Sequence, residues 1–164
     1  MRRFVGTTII AVVLMTGAVS AQSGTYVGAS AGFPLLLNVH AGFTDLIASD
    51  VDLRLNLGGA MIGVDGFLAF VGVVGADALY RFASDGDAAA GPYAGAGLGA
   101  GFAGGGGAGE YGAGFALNVA AVVGFEHRAH DVGYFLELRG NLTVPGDGGF
   151  FVWPNVGVGV NFHY

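Results

Sequence analysis

The sequence predicts an all-β chain: an eight-stranded antiparallel up-and-down transmembrane β-barrel. Three observations predict it. First, the last nine residues alternate without a break, with Val156, Val158, Val160, Phe162 and Tyr164 on one face of an extended strand. Gly157, Gly159, Asn161 and His163 take the other face, which is how a strand looks between lipid and a polar barrel interior. Second, the 164 residues are 53% hydrophobic and 11% charged, yet no stretch beyond the N-terminal segment reads as a membrane helix. The most apolar run, Phe67 to Leu79, contains Gly72, Gly75 and Asp77. It is also short, because a helical span needs about twenty apolar residues whereas a barrel strand needs roughly ten that alternate. Third, the 33 glycines oppose helix, at about 1 kcal/mol each relative to alanine.

The N-terminus reads as an export signal. Met1-Arg2-Arg3 is a short positive region, Phe4 to Val19 is apolar apart from Gly and Thr, and Ala18-Val19-Ser20-Ala21 has the small-x-small pattern of a cleavage site. Residues 1–21 are therefore expected to be a secretory signal peptide and 22–164 the barrel, with Gln22 as the mature start. The alternative, an uncleaved anchor helix, suits so short an apolar core poorly. All six basic residues are arginines, and only Arg54, Arg81, Arg128 and Arg139 remain in the mature chain against twelve carboxylates. No basic stripe exists to neutralise phosphates, so a nucleic-acid partner is not expected. The chain has no cysteine, so it can form neither disulfides nor thiolate metal sites. A small exported domain without disulfides needs another source of stability, and a bilayer supplies one.

Turn signals divide the mature chain into eight strands. The first runs from Tyr26 to Phe33 and turns at Pro34. The second, Leu35 to Phe43, sets Leu35, Leu37, Val39 and Ala41 against Asn38 and His40, before a turn over Thr44–Asp50. The third has Val51, Leu53, Leu55 and Leu57 opposite Asp52, Arg54 and Asn56, and turns at Gly63–Gly66. In the fourth, Val74, Ala76, Ala78 and Tyr80 oppose Asp77 and Arg81. Its first half, Phe67–Val73, is apolar on both faces, which suggests a bulge near Gly72 or a misplaced boundary within 59–73. After a loop over Ser84–Gly91, the fifth strand alternates Tyr93, Gly95, Gly97, Gly99 and Gly101 with Ala94, Ala96, Leu98, Ala100 and Phe102. Gly104–Gly109 reads as a low-complexity loop. The sixth strand sets Phe115, Leu117, Val119, Ala121, Val123 and Phe125 against Asn118 and Glu126, ahead of a turn at His127–Asp131. The seventh sets Tyr134, Leu136, Leu138 and Leu142 against Glu137, Arg139 and Asn141. Pro145–Gly149 leads to the eighth, residues 150 to 164. An even count closes an antiparallel barrel with both termini at the periplasmic end. Aromatic residues gather at both sets of strand ends, as in the girdles of membrane barrels, although some point inward by parity; Tyr26, Phe43, Tyr80, Phe82, Tyr93, Phe125, Tyr134, Phe162 and Tyr164 fall at one end, Phe33, Phe67, Phe102, Phe115, Phe150 and Phe151 at the other.

With signal, strand count and Val156–Tyr164 together, the whole mature chain resembles the small eight-stranded outer-membrane barrels of the OmpA-transmembrane-domain and OmpX type. The resemblance implies an outer-membrane location and recognition of the terminal strand by the barrel-assembly machinery. One departure stands out. The extracellular loops of that family are usually long, whereas here they are short or glycine-rich, which argues against an adhesin or receptor role.

The inward-facing ionic set is Asp52, Arg54, Asp77, Arg81, Glu126, Glu137 and Arg139. An eight-stranded barrel is just wide enough for its interior to be filled by side chains, so these charges are expected to pair as a lumen plug. A gated polar pathway is the functional alternative. Gly95, Gly97, Gly99 and Gly101 fit either reading, by making room for long arginine side chains or for water or a ligand. Lipid-modifying barrels use a Ser nucleophile with His and a carboxylate, but Ser23, Ser30, Ser49 and Ser84 have no histidine close in sequence. His127, His130 and Asp131 suggest a metal site less readily than a solvated turn. His40 and His163 read as polar lumen groups. Asp85-Gly86-Asp87 is too short for a calcium loop. No catalytic, cofactor or metal residues are assigned. The expected role is a structural, envelope-supporting outer-membrane barrel in contact with outer-membrane lipid and without enzymatic activity. The alternatives are a narrow porin-like channel or carrier, a lipid-modifying enzyme, and a soluble lipocalin-like periplasmic barrel. Seven ionisable groups inside a ligand-binding calyx would disfavour the last.

Overall fold

Period-two alternation makes each segment a strand, and the pairing of neighbours makes the strands a barrel. The computed structural model describes residues 24–33, 36–64, 67–82, 90–107 and 110–164. The strands are β1 (Thr25–Phe33), β2 (Leu36–Ala48), β3 (Val51–Val64), β4 (Phe67–Arg81), β5 (Ala90–Gly107), β6 (Glu110–Ala129), β7 (Val132–Pro145) and β8 (Phe151–His163). Each pairs antiparallel with the next, and β8 closes on β1 from Tyr26↔His163 to Phe33↔Val156. Closure leaves no open edge where the eight strands overlap, so the backbone groups of that shared wall are paired between neighbours. Val156, Val158 and Phe162 on β8 point outward and are exposed, while Asn161 is buried in the lumen. No helix among the described residues is long and apolar enough to cross a membrane. The expected signal over 1–21, Gln22, the turn at Pro34 and the Asp85–Asp87 turn lie outside the described residues.

Several strand ends correct the sequence reading. Instead of turning at Thr44, β2 continues to Ala48 with a register irregularity between Phe43 and Ala48, and the turn is Ser49–Asp50. Asp45 and Asp50 sit at φ 57° and 67°, a left-handed region that Asp tolerates because its side chain bonds the local backbone; the Asp50 N–H donates to Asp45 Oδ1 at 3.0 Å. Gly104–Gly107 are strand and not loop, paired through Leu68↔Gly106 on one side and Gly107↔Glu110 on the other. Neighbours on both sides satisfy the glycine backbone, and that ladder offsets an entropic cost of about 0.5–1 kcal/mol per glycine. Gly63 and Val64 belong to β3, Ala90 and Gly91 open β5, and His127–Ala129 belong to β6, leaving His130–Asp131 as its turn.

No bulge occurs at Gly72. The register runs unbroken from Val64↔Phe67 to Val51↔Tyr80 on one side of β4, and from Leu68↔Gly106 to Arg81↔Tyr93 on the other. Gly72 instead seats the Phe102 ring, which lies where a Cβ would be. Inside the barrel the same device places Tyr26 over Gly42, Tyr93 over Gly124 and Phe135 over Gly159. Tyr26 is fully buried and has nowhere to move. Gly42→Ala should therefore destabilise the barrel by about 1–3 kcal/mol, as overpacking does. Gly112→Ala, with nothing within 4 Å of its Cβ position, should leave the urea unfolding midpoint unchanged; equal midpoints for both variants would refute the seat.

Strand lengths are unequal, from 9 residues in β1 to 20 in β6. At the end opposite the termini, pairing stops at Gly32↔Leu36 and at Ala116↔Pro145, whereas β3 pairs with β4 as far as Val64↔Phe67 and β5 with β6 as far as Gly107↔Glu110. A four-stranded wall thus rises above the rim on one side.

Candidate functional site: the lumen

Inward parity gathers Asp52 and Arg54 of β3, Asp77 and Arg81 of β4, Glu126 and Arg128 of β6, and Glu137 and Arg139 of β7 in the half of the barrel nearest the termini. Arg54 and Asp77 are direct cross-strand partners. Arg54 donates to Asp77 Oδ2 from Nε at 3.1 Å and from Nη2 at 2.9 Å, Asn56 Nδ2 donates to the same oxygen at 2.7 Å, and Arg139 Nη2 at 2.5 Å. Arg54 Nη2 also lies 2.7 Å from Glu137 Oε2, which accepts the Tyr93 hydroxyl at 3.0 Å. Arg139 Nε is 3.6 Å from the other Glu137 oxygen.

A second set adjoins the first. Arg81 bridges Asp52 (Nε–Oδ2, 2.5 Å) and Glu126 (Nη1–Oε2, 2.9 Å). Its guanidinium stands 5.9 Å from the centres of both the Tyr26 and Tyr93 rings, within cation–π range. Glu126 Oε1 is 2.8 Å from His163 Nε2, and Arg128 Nη2 lies against His163 Nδ1 at 2.5 Å. A guanidinium can only donate, so Nδ1 is assigned as the bare nitrogen and Nε2–H as the donor to Glu126. All seven charged residues named from the sequence are thus joined by ion pairs, and Asp52, Arg54, Asp77 and Glu126 are only 1–4% exposed. Leu79 and Val122 are buried beside them. Charges removed from water to this degree must be paired, since an uncompensated one costs several kcal/mol.

The lumen changes character toward the other end. Next to the ionic cluster is a narrow polar space of about 70 Å³ bordered by Asn38, Asn56, Asn118, Asn141 and Asn155. Beyond it opens a cavity of about 450 Å³ lined mainly by apolar side chains, among them Leu36, Val71, Val73, Ala103, Ala116 and Trp153. This explains why Phe67–Val73 is apolar on both faces: Val74 and Phe70 face outward, Val71 and Val73 face the cavity.

The structure divides the glycine face of β5. Gly95 leaves room for Leu79, Gly97 for the Asp77 carboxylate, and Gly101 borders the wide cavity with no atom nearer than 3.6 Å to its Cβ position. Aspartate, not arginine, takes the room. Tyr26 and Tyr93 are not girdle rings, because both occupy inward positions and are buried; Phe43 is buried as well, and Phe151 lines the cavity. The sequence reading missed Arg128 and the Tyr93 hydroxyl as members of the network; their inward parity with Glu126 and Gly95 was the available signal. His40 Nε2 lies 2.6 Å from Asn161 Oδ1, while Nδ1 is buried without a partner. Ser30 borders the narrow polar space and Ser49 lies in the β2–β3 turn; Ser23 and Ser84 lie outside the described residues. Among the described residues no group of three potential metal ligands forms, His127, His130 and Asp131 included.

Solved structures that superpose on this barrel include outer-membrane proteins. Neisserial surface protein A superposes with a TM-score of 0.64 at 14% identity, over 87% of this chain and 94% of its own. The N-terminal β-barrel domain of Pseudomonas aeruginosa OprF gives 0.66 at 20% identity, over 87% and 96%. The fold is that of a small outer-membrane β-barrel. A major outer membrane protein from Thermus thermophilus is similar too, with a TM-score of 0.56 at 10% identity over 88% of this chain and all (100%) of that one. No family model matches the chain, and no curated protein matches it in sequence.

Proposed function

We propose that the chain is an integral outer-membrane protein with a structural, envelope-supporting role and a lumen closed by its ionic cluster. The observation that carries the closure is the near-complete burial of Asp52, Arg54, Asp77 and Glu126 among Tyr26, Leu79 and Val122. Residence in a bilayer is supported by the outward residues, since Leu98, Leu117, Val119, Leu136 and Val158 are exposed around the wall while Asp52, Arg54, Asp77 and Glu126 are buried in the lumen. A soluble lipocalin-like barrel needs the reverse arrangement. The termini and the ionic cluster face the periplasm, and the wide cavity faces outward. Val156, Val158, Val160, Phe162 and Tyr164 present the assembly machinery with an outward apolar row ending in an aromatic ring. No enzymatic step is assigned to the lumen.

Purified protein in planar bilayers should conduct little or nothing, because the ion pairs occupy the path an ion would take. Steady single-channel conductance from wild-type protein would overturn the closed lumen in favour of a channel.

A further inference from the structure

The wide cavity has a chemistry that a closed structural barrel does not require. Its wall is almost wholly apolar, formed by Leu36, Val71, Val73, Ala103, Ala116 and Phe151. At about 450 Å³ it falls in the range usual for small-molecule sites, about 300–1,000 Å³. A small polar cluster, Asn118, Thr143 and the Trp153 indole N–H, borders it. The Thr143 hydroxyl accepts two hydrogen bonds, from Trp153 Nε1 at 3.0 Å and from Asn118 Nδ2 at 2.9 Å. A hydroxyl has two lone pairs and one hydrogen. Both lone pairs are taken, so the hydrogen can only be donated, and Thr143, Asn118 and Trp153 all line the cavity. Trp153 and Asn118 thereby leave the Thr143 hydrogen available as a donor at the wall of the apolar space, and Thr143 is itself 8% exposed.

We propose that this cavity binds one uncharged molecule with an apolar body and a terminal acceptor oxygen, such as a long-chain alcohol or ketone, its oxygen taking the Thr143 hydrogen bond. Neutrality follows from the part of the cluster beneath the cavity, where the guanidiniums of Arg54 and Arg139 are both already engaged by Asp77 and Glu137. No free positive charge awaits an anionic headgroup there, and a fatty carboxylate would lose its hydration without a counter-ion. The way in is over the low side of the rim. Pairing of β6 with β7 ends at Ala116↔Pro145, with one further bond from the Gly146 N–H to the Phe115 carbonyl, so among the described residues the part of β6 before cavity-lining Gly114 has no strand partner on that side. This proposal shares the closed floor with the structural reading, but its readout does not depend on conductance.

Trp153 is the only tryptophan of the chain, so its fluorescence reports on this cavity alone. Protein in lipid nanodiscs would be titrated with 12-bromododecan-1-ol, 1-bromododecane and 12-bromododecanoate at pH 8. Expected is saturable quenching by the alcohol, at least several-fold weaker for the other two. Thr143→Val should remove the alcohol's advantage over the bromoalkane. Ala116→Phe and Ala103→Phe, which fill the cavity, should abolish saturation; two variants are named so that one that still shows the heat-modifiable band shift of a folded barrel can be read. Quenching that rises linearly with each probe and is unaltered in a folded cavity-filling variant would overturn the site, since it would report partition from the bilayer. Tightest binding by the carboxylate, or an alcohol preference that survives Thr143→Val, would overturn the assigned ligand class.

Discussion

Arg54→Ala is expected to lower the stability of the folded barrel by about 3–5 kcal/mol, the usual result of removing one member of a buried ion pair. Arg54 touches both Asp77 and Glu137 at ion-pair distance with its side chain 4% exposed, so its loss leaves two buried carboxylates to the more exposed Arg139. Arg139 shares the same two partners, but its side chain is 21% exposed and Arg54 would remain in place. Arg139→Ala should therefore shift the urea midpoint in lipid vesicles clearly less than Arg54→Ala. In a water-filled lumen the charges would already be solvated, and neither change would move the midpoint much. An unshifted midpoint for Arg54→Ala would remove the plug. Coupling between Arg54→Ala and Asp77→Ala in a double-mutant cycle would apportion the pair, because contacting residues are not additive.

Phe162→Asp, and separately deletion of Tyr164, should reduce assembled protein in the outer membrane severely while leaving refolding into vesicles within about 1 kcal/mol of wild type, since a carboxylate near the interface is tolerated. Phe162 is outward-facing and pairs with Val27 and Val132 at the closing seam. Tyr164 contributes one backbone bond to Thr25 at 2.9 Å and is otherwise exposed. Neither position offers much packing to lose, so a large drop in assembly would be a defect of recognition. Normal yield of the heat-modifiable form would mean that the terminal strand is not read in this way. A parallel drop in refolded stability would place its role in the fold.

Much of this barrel was written into local pattern. The alternation of Asp52, Arg54 and Asn56 with Val51, Leu53, Leu55 and Leu57 assigns each side chain to a face without any knowledge of partners, because the backbone of a strand turns over at every residue. The same rule sent Glu137 and Arg139 inward and Val156 to Phe162 outward. What pattern could not supply was anything that depends on the neighbouring strand. Gly104–Gly107 looks like a loop from composition, and only hydrogen bonds to β4 and β6 make it strand. Gly72 looks like a bulge until the Phe102 ring occupies the place of its missing Cβ. Rings near strand ends, Tyr26 and Tyr93, were read by position as girdle residues, though parity turned them into the lumen. The division of the lumen into an ionic half and an apolar half depends on stagger, since closing a sheet shifts each strand along its neighbour. That shift decides which inward residues share a height: it sets Arg54 beside Glu137 and Thr143 beside Trp153 and Asn118, residues 83, 10 and 25 positions apart in the chain. Facing is a local property of one strand, but height in a barrel is a property of all eight.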